Sequence, residues 1–460
     1  MKRPNILMIM ADQIRLKTLQ GMGDEIPTPN LNRLMDKSLV FTQAVCSCPL
    51  CTPSRASLAT GKYPGRCGVP IHDAVLSYEE TTYYQLLRKS GYRVGMAGKS
   101  DLHKKDKHCG IHGDTPQMYH YGFTDPFETE GKMNSAWFSV DSNGKKQLAG
   151  PYQHYLETHA PGGLEALNAD YKQYMRKDPR YRATPSVLEG EHFLDHFIGR
   201  AACDWLEHVQ DEEPWHYFVS FAGPHNPWDP PKEEFEKYKD TRFPAPIADN
   251  LENKPEWIKK RAAEQTGGMT EELMQNMKRC YAGSVNVVDH WVGQLLDVLE
   301  RRGLAENTVV IFCADHGELL GDHGLVEKSA MYETSVRIPL VIHTPGMTRR
   351  VDTPAMAQLM DLAPTCLELA GVRYNDQDMD AVSLMPLLEN PERTDWNPHT
   401  LQISELSNCQ MVYDGRYKWI RNWNDLYELY DLQQDPQELH NLIHECPEIA
   451  ARMAALTYRH

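Results

Sequence analysis

No uninterrupted apolar run in this chain of 460 residues approaches the roughly 20 residues that a membrane-spanning helix needs. The longest runs, such as Ile6 to Ala11, have the length of a buried strand, so no membrane partner is expected. A basic stripe is missing as well. Lys and Arg number 48 against 64 Asp and Glu, a net charge of -16, which argues against a sequence-blind nucleic-acid binder. An anionic substrate would have to be drawn in by local cations, against the overall field. Cysteine is sparse, and its count of eleven is odd, so most are expected to be core thiols and not a disulfide framework. Internal repeats and low-complexity tracts are absent. Met1-Lys2-Arg3-Pro4 has the charge of a leader, but the apolar stretch after it is too short and lacks a small-residue cleavage site. The expectation is a cytoplasmic protein, or a periplasmic or secreted one if a leader has already been removed.

What is present is alternation. At about 150 residues per domain the length suggests roughly three units, but large α/β enzymes often run as one big domain with a small appendage. Short β-rich apolar runs followed by turns and helical patterns recur, which predicts an α/β fold with a large, mostly parallel central sheet flanked by helices. Predicted strands are Asn5 to Met10, Arg93 to Ala97, Trp215 to Ala222, Thr308 to Ala314 and Pro339 to His343. A helix over Asn30 to Lys37 is signalled by Thr28 as cap and Pro29 in the first turn. A longer one runs from about Thr270 to Arg302 and ends at Gly303. The catalytic unit is expected over 1–380, with 104–200 as loops and short helices laid over the core, where specificity usually resides. From Ala381 aromatic residues alternate with turn signals, predicting a small C-terminal subdomain over 381–460: an antiparallel sheet ending in a helix near Pro447 to Tyr458.

In open α/β sheets ligands bind beyond the carboxyl ends of the strands. Polar residues follow four predicted strands there: Asp12-Gln13, Lys99, His225 and Asp315-His316. Two carboxylates, an amide oxygen and an imidazole on one rim could hold a divalent cation, while a lysine and a histidine could hold and protonate an anionic ester. Taken singly, each has a plainer reading as a helix cap or a solvated side chain.

The segment Cys51-Thr52-Pro53-Ser54-Arg55, continuing through Thr60-Gly61, adds a reactive position. Pro53 suits a first helical turn, so Cys51 lies at a helix N-terminus, where the dipole and free N–H groups favour anions and a depressed thiol pKa. Cys48-Pro49-Leu50-Cys51 also has the CxxC spacing of redox or zinc chemistry, but there is no second CxxC and the flanks are not thioredoxin-like.

With these residues the chain resembles the type I sulfatase family of the alkaline-phosphatase superfamily. Cys51 to Arg55 matches the CxPSR signature, Asn5 to Asp12 the opening strand and first metal ligand, and Thr28-Pro29-Asn30-Leu31 the first helix. Ala314 to Gly324 resembles the second metal motif and Lys328 to Glu333 the lysine segment after it. Leu359 to Gly371 and Leu429 to Leu442 resemble later landmarks. Only the middle insertion is unmatched.

The resemblance implies that Cys51 is converted to formylglycine by a formylglycine-generating enzyme. It also implies that Asp12, Gln13, Asp315 and His316 join Cys51 around one divalent cation. Calcium suits the oxygens; manganese or magnesium is the alternative, helped by the nitrogen of His316. Many relatives carry Asp where this chain has Gln13, so the site has one negative charge fewer. The implied substrate is a sulfate ester, of a small molecule or a glycan. Arg55 would acidify the nucleophile, Lys99 and Lys328 would neutralise sulfate oxygens, and His225 would protonate the departing alcohol. The family's usual histidine two residues after the matching lysine is Asp101 here, with His103 two further on. Either could be the base, or Asp101 could orient His103. His72 and Asp73 stand where relatives often place a polar contact to nucleophile or sulfate, or else they form a turn. Asp322-His323-Gly324 repeats the DHG triplet without a strand before it and is read as a turn. Phosphonate monoester and phosphodiester hydrolases share the Asp-Gln pair, the cysteine and the Asp-His pair, and are the first alternative. A catalytically silent glycan-binding relative is the second, disfavoured because Cys51, Arg55 and the carboxylates are all present. Oligomeric state is not legible.

Overall fold

Three segments, Asn5–Ala11 (β1), Trp215–Phe221 (β7) and Thr308–Ala314 (β8), are buried at every position, as strands covered by helices on both faces must be. The computed structural model describes residues 3–23, 25–106, 108–177, 183–210 and 212–457. Its remaining main strands are Leu39–Phe41 (β2), Arg93–Gly98 (β3), Asp125–Glu128 (β4), Leu340–His343 (β9) and Val351–Thr353 (β10). Ser139–Val140 (β5) and Lys146–Gln147 (β6) form a separate hairpin. The eight-stranded sheet has the order β10-β2-β9-β8-β1-β7-β3-β4, and only β9 runs antiparallel to its neighbours. In register, Ala11 of β1 pairs with Phe221 on one side and Ala314 on the other, so Asp12, Gly223 and Asp315 leave the sheet at the same edge. The expected strands are present within a residue or so at each end.

The segment 104–200 is more than loops over a core. It supplies β4, an edge strand paired to β3, and the helices Pro151–His159 and Gly163–Lys177. β4 escapes a sequence reading because Asp-Pro-Phe-Glu carries two acids and a proline, tolerated where one side of the strand has no partner. Many aromatics of this segment build a second layer of core. Tyr152 and Tyr171 are buried, and Tyr155 packs on Phe197 at 4.8 Å between ring centres.

The first helix covers Pro29–Met35, and Thr28 does not cap it. Thr28 Oγ1 instead accepts from Gln20 N, and the free N–H groups of Asn30 and Leu31 are taken by the Asp289 carboxylate at 3.3 and 2.8 Å. Asp289 belongs to the long helix Glu271–Arg301, which is capped by Thr270 and followed by Gly303 in the left-handed region, as expected. The C-terminal antiparallel sheet consists of Gln402–Leu406 (β11), Cys409–Tyr413 (β12), Tyr417–Asn422 (β13) and Glu428–Asp431 (β14). Its own small core of Ile403, Val412, Trp419 and Leu429 is closed by Met453 of the helix Pro447–Thr457. Met1, Lys2 and Tyr458, named above, lie outside the described residues. None of the described helices is long and apolar enough to cross a membrane.

Candidate active site

The helix Cys51–Thr60 begins on Cys51 itself, with Leu50 extended before it and Pro53 in the first turn, where a missing N–H leaves no bond unmade. The whole helix is buried, which places the thiol inside the molecule at the positive end of the helix. Cys51 Sγ lies 3.2 Å from His316 Nε2 and 3.7 Å from Asp12 Oδ1. Burial opposes ionising this thiol, but Lys328, Lys99 and His316 together with a hydrogen bond to His225 hold its pKa well below the ordinary thiol value. All eleven cysteines are free thiols, Cys48 and Cys51 included.

One atom each from Asp12, Cys51, Asp315 and His316 fall within 4.8 Å of one another, all buried. Two carboxylates and an imidazole at that spacing fit a divalent cation. His316 Nδ1 faces the carbonyl of Gly317 at 3.0 Å, which assigns the proton to Nδ1 and turns the Nε2 lone pair toward Asp12 and Cys51. Asp315 Oδ1 accepts the backbone N–H groups of Gln13 and His316.

Arg55 ties the ends of four strands, β8, β1, β7 and β3, together. Nε donates to Asp315 at 2.8 Å and Nη2 to Asp12 at 3.3 Å, while Nη1 donates to Ser220 Oγ and the Lys99 carbonyl at 2.7 and 2.8 Å. Burial works against its charge, yet the two carboxylates hold its pKa above the usual arginine value. Lys99 Nζ donates to Asp12 at 2.5 Å and lies 3.1 Å from Asp101. Gly98 lets β3 pass close enough to β7 to place that lysine. Its φ is +104, and a Cβ there would stand 1.9 Å from Ser220 O.

The remaining residues divide. Lys328 Nζ reaches both Gln13 Oε1 and His225 Nε2 at 2.5 Å. His225 Nδ1 faces the Asn226 carbonyl, and burial followed by Lys328 lowers its pKa. Asp101, in the left-handed region at φ 57, turns its carboxylate to Lys99 and Lys104, and with His72 it comes within 4.8 Å of the Cys51 sulfur. His72 Nε2 accepts from Lys104 Nζ at 2.6 Å, and Asp73 is exposed. His103 goes elsewhere: its Nε2 bonds Glu128 at 2.7 Å, and Asp101 spends its carboxylate on lysines without orienting it. Of the two, Asp101 and not His103 stands beside the Cys51 sulfur, together with His72. A cleft lined by Asp101, His103, Lys104, Glu128 and Glu130 adjoins it. Asp322 pairs with Arg15 at 2.8 Å and His323 with Asp249 at 2.8 Å, so the second DHG triplet is a structural turn.

Two participants were not foreseen. Lys104, three residues beyond Asp101, was signalled only by that spacing. Glu318 lies two residues beyond His316, buried, with Oε2 taking Gln13 Nε2 and Oε1 taking two backbone N–H groups. Burial pushes its carboxyl up to about 7 against the pull of those donors and Lys328.

Comparison with known proteins agrees with this geometry. A family model described as Sulfatase matches residues 4–372, and one described as N-sulphoglucosamine sulphohydrolase, C-terminal, matches residues 321–458. The choline-sulfatase of Rhizobium meliloti is 29% identical over 474 residues, covering 99% of this chain and 85% of the relative. An N-acetylglucosamine-6-O-sulfatase of Bacteroides thetaiotaomicron is 27% identical, covering 96% and 83%. Among solved structures, the phosphonate monoester hydrolase of Agrobacterium radiobacter superposes with a TM-score of 0.77 at 20% identity, over 99% of this chain and 95% of that one. A protein in complex with its substrate D-glucosamine-2-N,6-O-disulfate superposes at 0.76 and 22%, over 99% and 97%. With a family model covering four fifths of its length and the signature cysteine, its arginine and both carboxylates gathered at one sheet edge, this chain belongs to the sulfatase family, whose members hydrolyse sulfuric esters.

Proposed function

We propose that this sulfatase removes sulfate from a sulfated carbohydrate, with Cys51 converted to formylglycine by a maturing enzyme and calcium held by Asp12, Gln13, Asp315, His316 and the modified residue. The observation that carries the reading is the placement of Cys51: a buried helix N-terminus facing two carboxylates, Arg55, Lys99 and Lys328. In that setting the formylglycine hydrate supplies the hydroxyl nucleophile and the cation supplies Lewis acidity. The chain's own residues do the rest. Lys99 and Lys328 stand ready to neutralise sulfate oxygens as charge spreads over them. Arg55 holds Asp12 and Asp315 in place and offsets their charge. His225 keeps Nδ1 on the Asn226 carbonyl, so in the imidazolium form Nε2 is the atom that hands its proton to the departing alcohol, leaving the neutral ring with its proton on Nδ1. Asp101 and His72 flank the nucleophile on the other side and fit the base that regenerates the aldehyde. A sugar is favoured as the alcohol by the likeness to the N-acetylglucosamine-6-O-sulfatase.

One second reading is a phosphonate monoester or phosphodiester hydrolase, since a phosphonate monoester hydrolase shares the fold and such substrates carry the same single negative charge as a sulfate ester. One experiment separates them. Protein from a host with the maturing enzyme is analysed by mass spectrometry for the aldehyde at position 51, then assayed in parallel on an aryl sulfate, an aryl phosphonate monoester and a 6-O-sulfated glucosamine. Turnover of the sulfates, abolished in Cys51→Ala, is expected. A clear preference for the phosphonate, or undiminished activity in Cys51→Ala, overturns the proposal.

A further inference from the structure

Gln13 is an unusual group to place beside a cation, because an amide presents an acceptor on one side and two donors on the other. Which side faces the site is decided by whatever holds the other. Glu318 holds it. Its Oε2 takes the Gln13 amide N–H in a short hydrogen bond, which leaves Gln13 Oε1 turned to Lys328 Nζ at 2.5 Å. Glu318 is itself immobilised: Oε1 accepts from the backbone N–H groups of Leu320 at 2.8 Å and Glu327 at 2.6 Å. Gln13, Leu320 and Glu327 all sit in the left-handed region, with φ of 69, 48 and 66, where non-glycine residues stay only when their surroundings hold them. The Gln13 backbone is pinned too, with N–H on Asp315 Oδ1 at 3.0 Å and its carbonyl on Tyr281 Oη at 2.8 Å. Glu327 directly precedes Lys328, so one buried carboxylate governs two residues of the site from behind.

We infer that Glu318 is the positioning residue that makes Gln13 a usable oxygen ligand, by taking its amide N–H and so fixing the carbonyl toward the cation. The inference rests on the cation reading above. Its logic predicts an amide flip. In Glu318→Gln the new amide oxygen stays with the two backbone donors, since an NH2 there would oppose both. The new NH2 then meets the NH2 of Gln13, and Gln13 must rotate, presenting donors to Lys328 and to any bound cation. The paired exchange Gln13→Glu/Glu318→Gln restores a donor facing an acceptor, with a carboxylate oxygen turned to the site.

The test is calcium binding to the chelator-stripped, matured enzyme by isothermal titration calorimetry, with calcium-induced change in Tm as a second readout. Glu318→Gln is expected to bind calcium about 10- to 100-fold more weakly than wild type, the range for lost partners of metal ligands. The double exchange is expected to bind at least as tightly as wild type. Unchanged affinity in Glu318→Gln overturns the inference, and so does a folded double variant no better than the single one. Should Glu318→Gln fail to fold, the double variant carries the decision by the same measure. If wild type itself binds no calcium, manganese or magnesium, the cation reading has failed, a result distinct from either of these.

Discussion

His225 turns Nδ1 to the Asn226 carbonyl and Nε2 to Lys328. Because Nδ1 is engaged by the Asn226 carbonyl, every proton it gives must leave from Nε2. Protonating a leaving group matters in proportion to how poor that group is. His225→Asn is therefore expected to lower kcat about 10²- to 10⁴-fold on an alkyl or sugar sulfate, and far less on 4-nitrophenyl sulfate, whose phenolate leaves unaided. Steady-state kinetics on the two substrate types check this; equal losses on both would place His225 in binding and not in proton transfer. At the same scale Arg55 shows why the signature needs arginine: five N–H groups in a rigid fork reach two carboxylates, a hydroxyl and a carbonyl at once, which no lysine can do.

Among the elements, β7 is a fully buried internal strand. It lies between β1 and β3, ends in the turn that carries His225, and buries His216 in its second position with Nε2 on Tyr83 Oη at 3.1 Å. Burial pushes the His216 pKa down from 6.5 to about 3. The folded ring thus stays neutral while the unfolded chain takes up a proton below pH 6.5. The stability from this group is complete above that pH and declines as pH falls toward the folded value, by about 1.4 kcal/mol per pH unit. His196, lowered to about 4 by burial and by His290, acts in the same sense. His216→Gln keeps an acceptor for Tyr83 but cannot titrate. Urea unfolding between pH 6.5 and 4 is expected to show a shallower loss of stability in the variant, and identical pH slopes would refute the assignment.

For the whole molecule, the C-terminal sheet is joined to the catalytic region through buried charge. Lys418 of β13 is fully buried, 2.7 Å from both Glu333 and Glu438, and donates to the Met331 carbonyl at 2.9 Å. Glu333 opens the short helix that follows the Lys328 segment, and Arg337 and Lys418 overcome its burial to hold its pKa down at about 2. Lys254 lies between the rings of Tyr332 and Tyr430 in the same joint. Lys418→Met is expected to lose about 3–5 kcal/mol, because Glu438 stays buried without its cation while Glu333 keeps only Arg337. Guanidinium unfolding followed by tryptophan fluorescence measures it; a loss under about 1 kcal/mol, the size of a surface pair, would show that the joint is solvated.

Strand positions, the cysteine signature and the residues at strand ends were readable in the sequence because each depends on neighbours close along the chain. Buried strands announce themselves by continuous apolar runs, as Thr308–Ala314 does, and a reactive cysteine by the helix it opens. β4 was not readable, since an edge strand tolerates the proline and acids that normally forbid one. Nor was the true cap of the first helix, which comes from Asp289, 259 residues from Asn30. The same holds within the site. Asp101 and His103 are alike at the level of spacing, and only Glu128, brought in by β4, draws His103 away while Asp101 stays with Lys99 and Lys104 beside the Cys51 sulfur. Sequence by itself determined the kind of sheet, the place of the signature cysteine and the charged groups at one edge, all set by local periodicity and motif. Tertiary structure decided which way each of those groups points, because orientation is fixed by partners such as Glu318 and Gln13 that meet only once the sheet has closed, 305 residues apart.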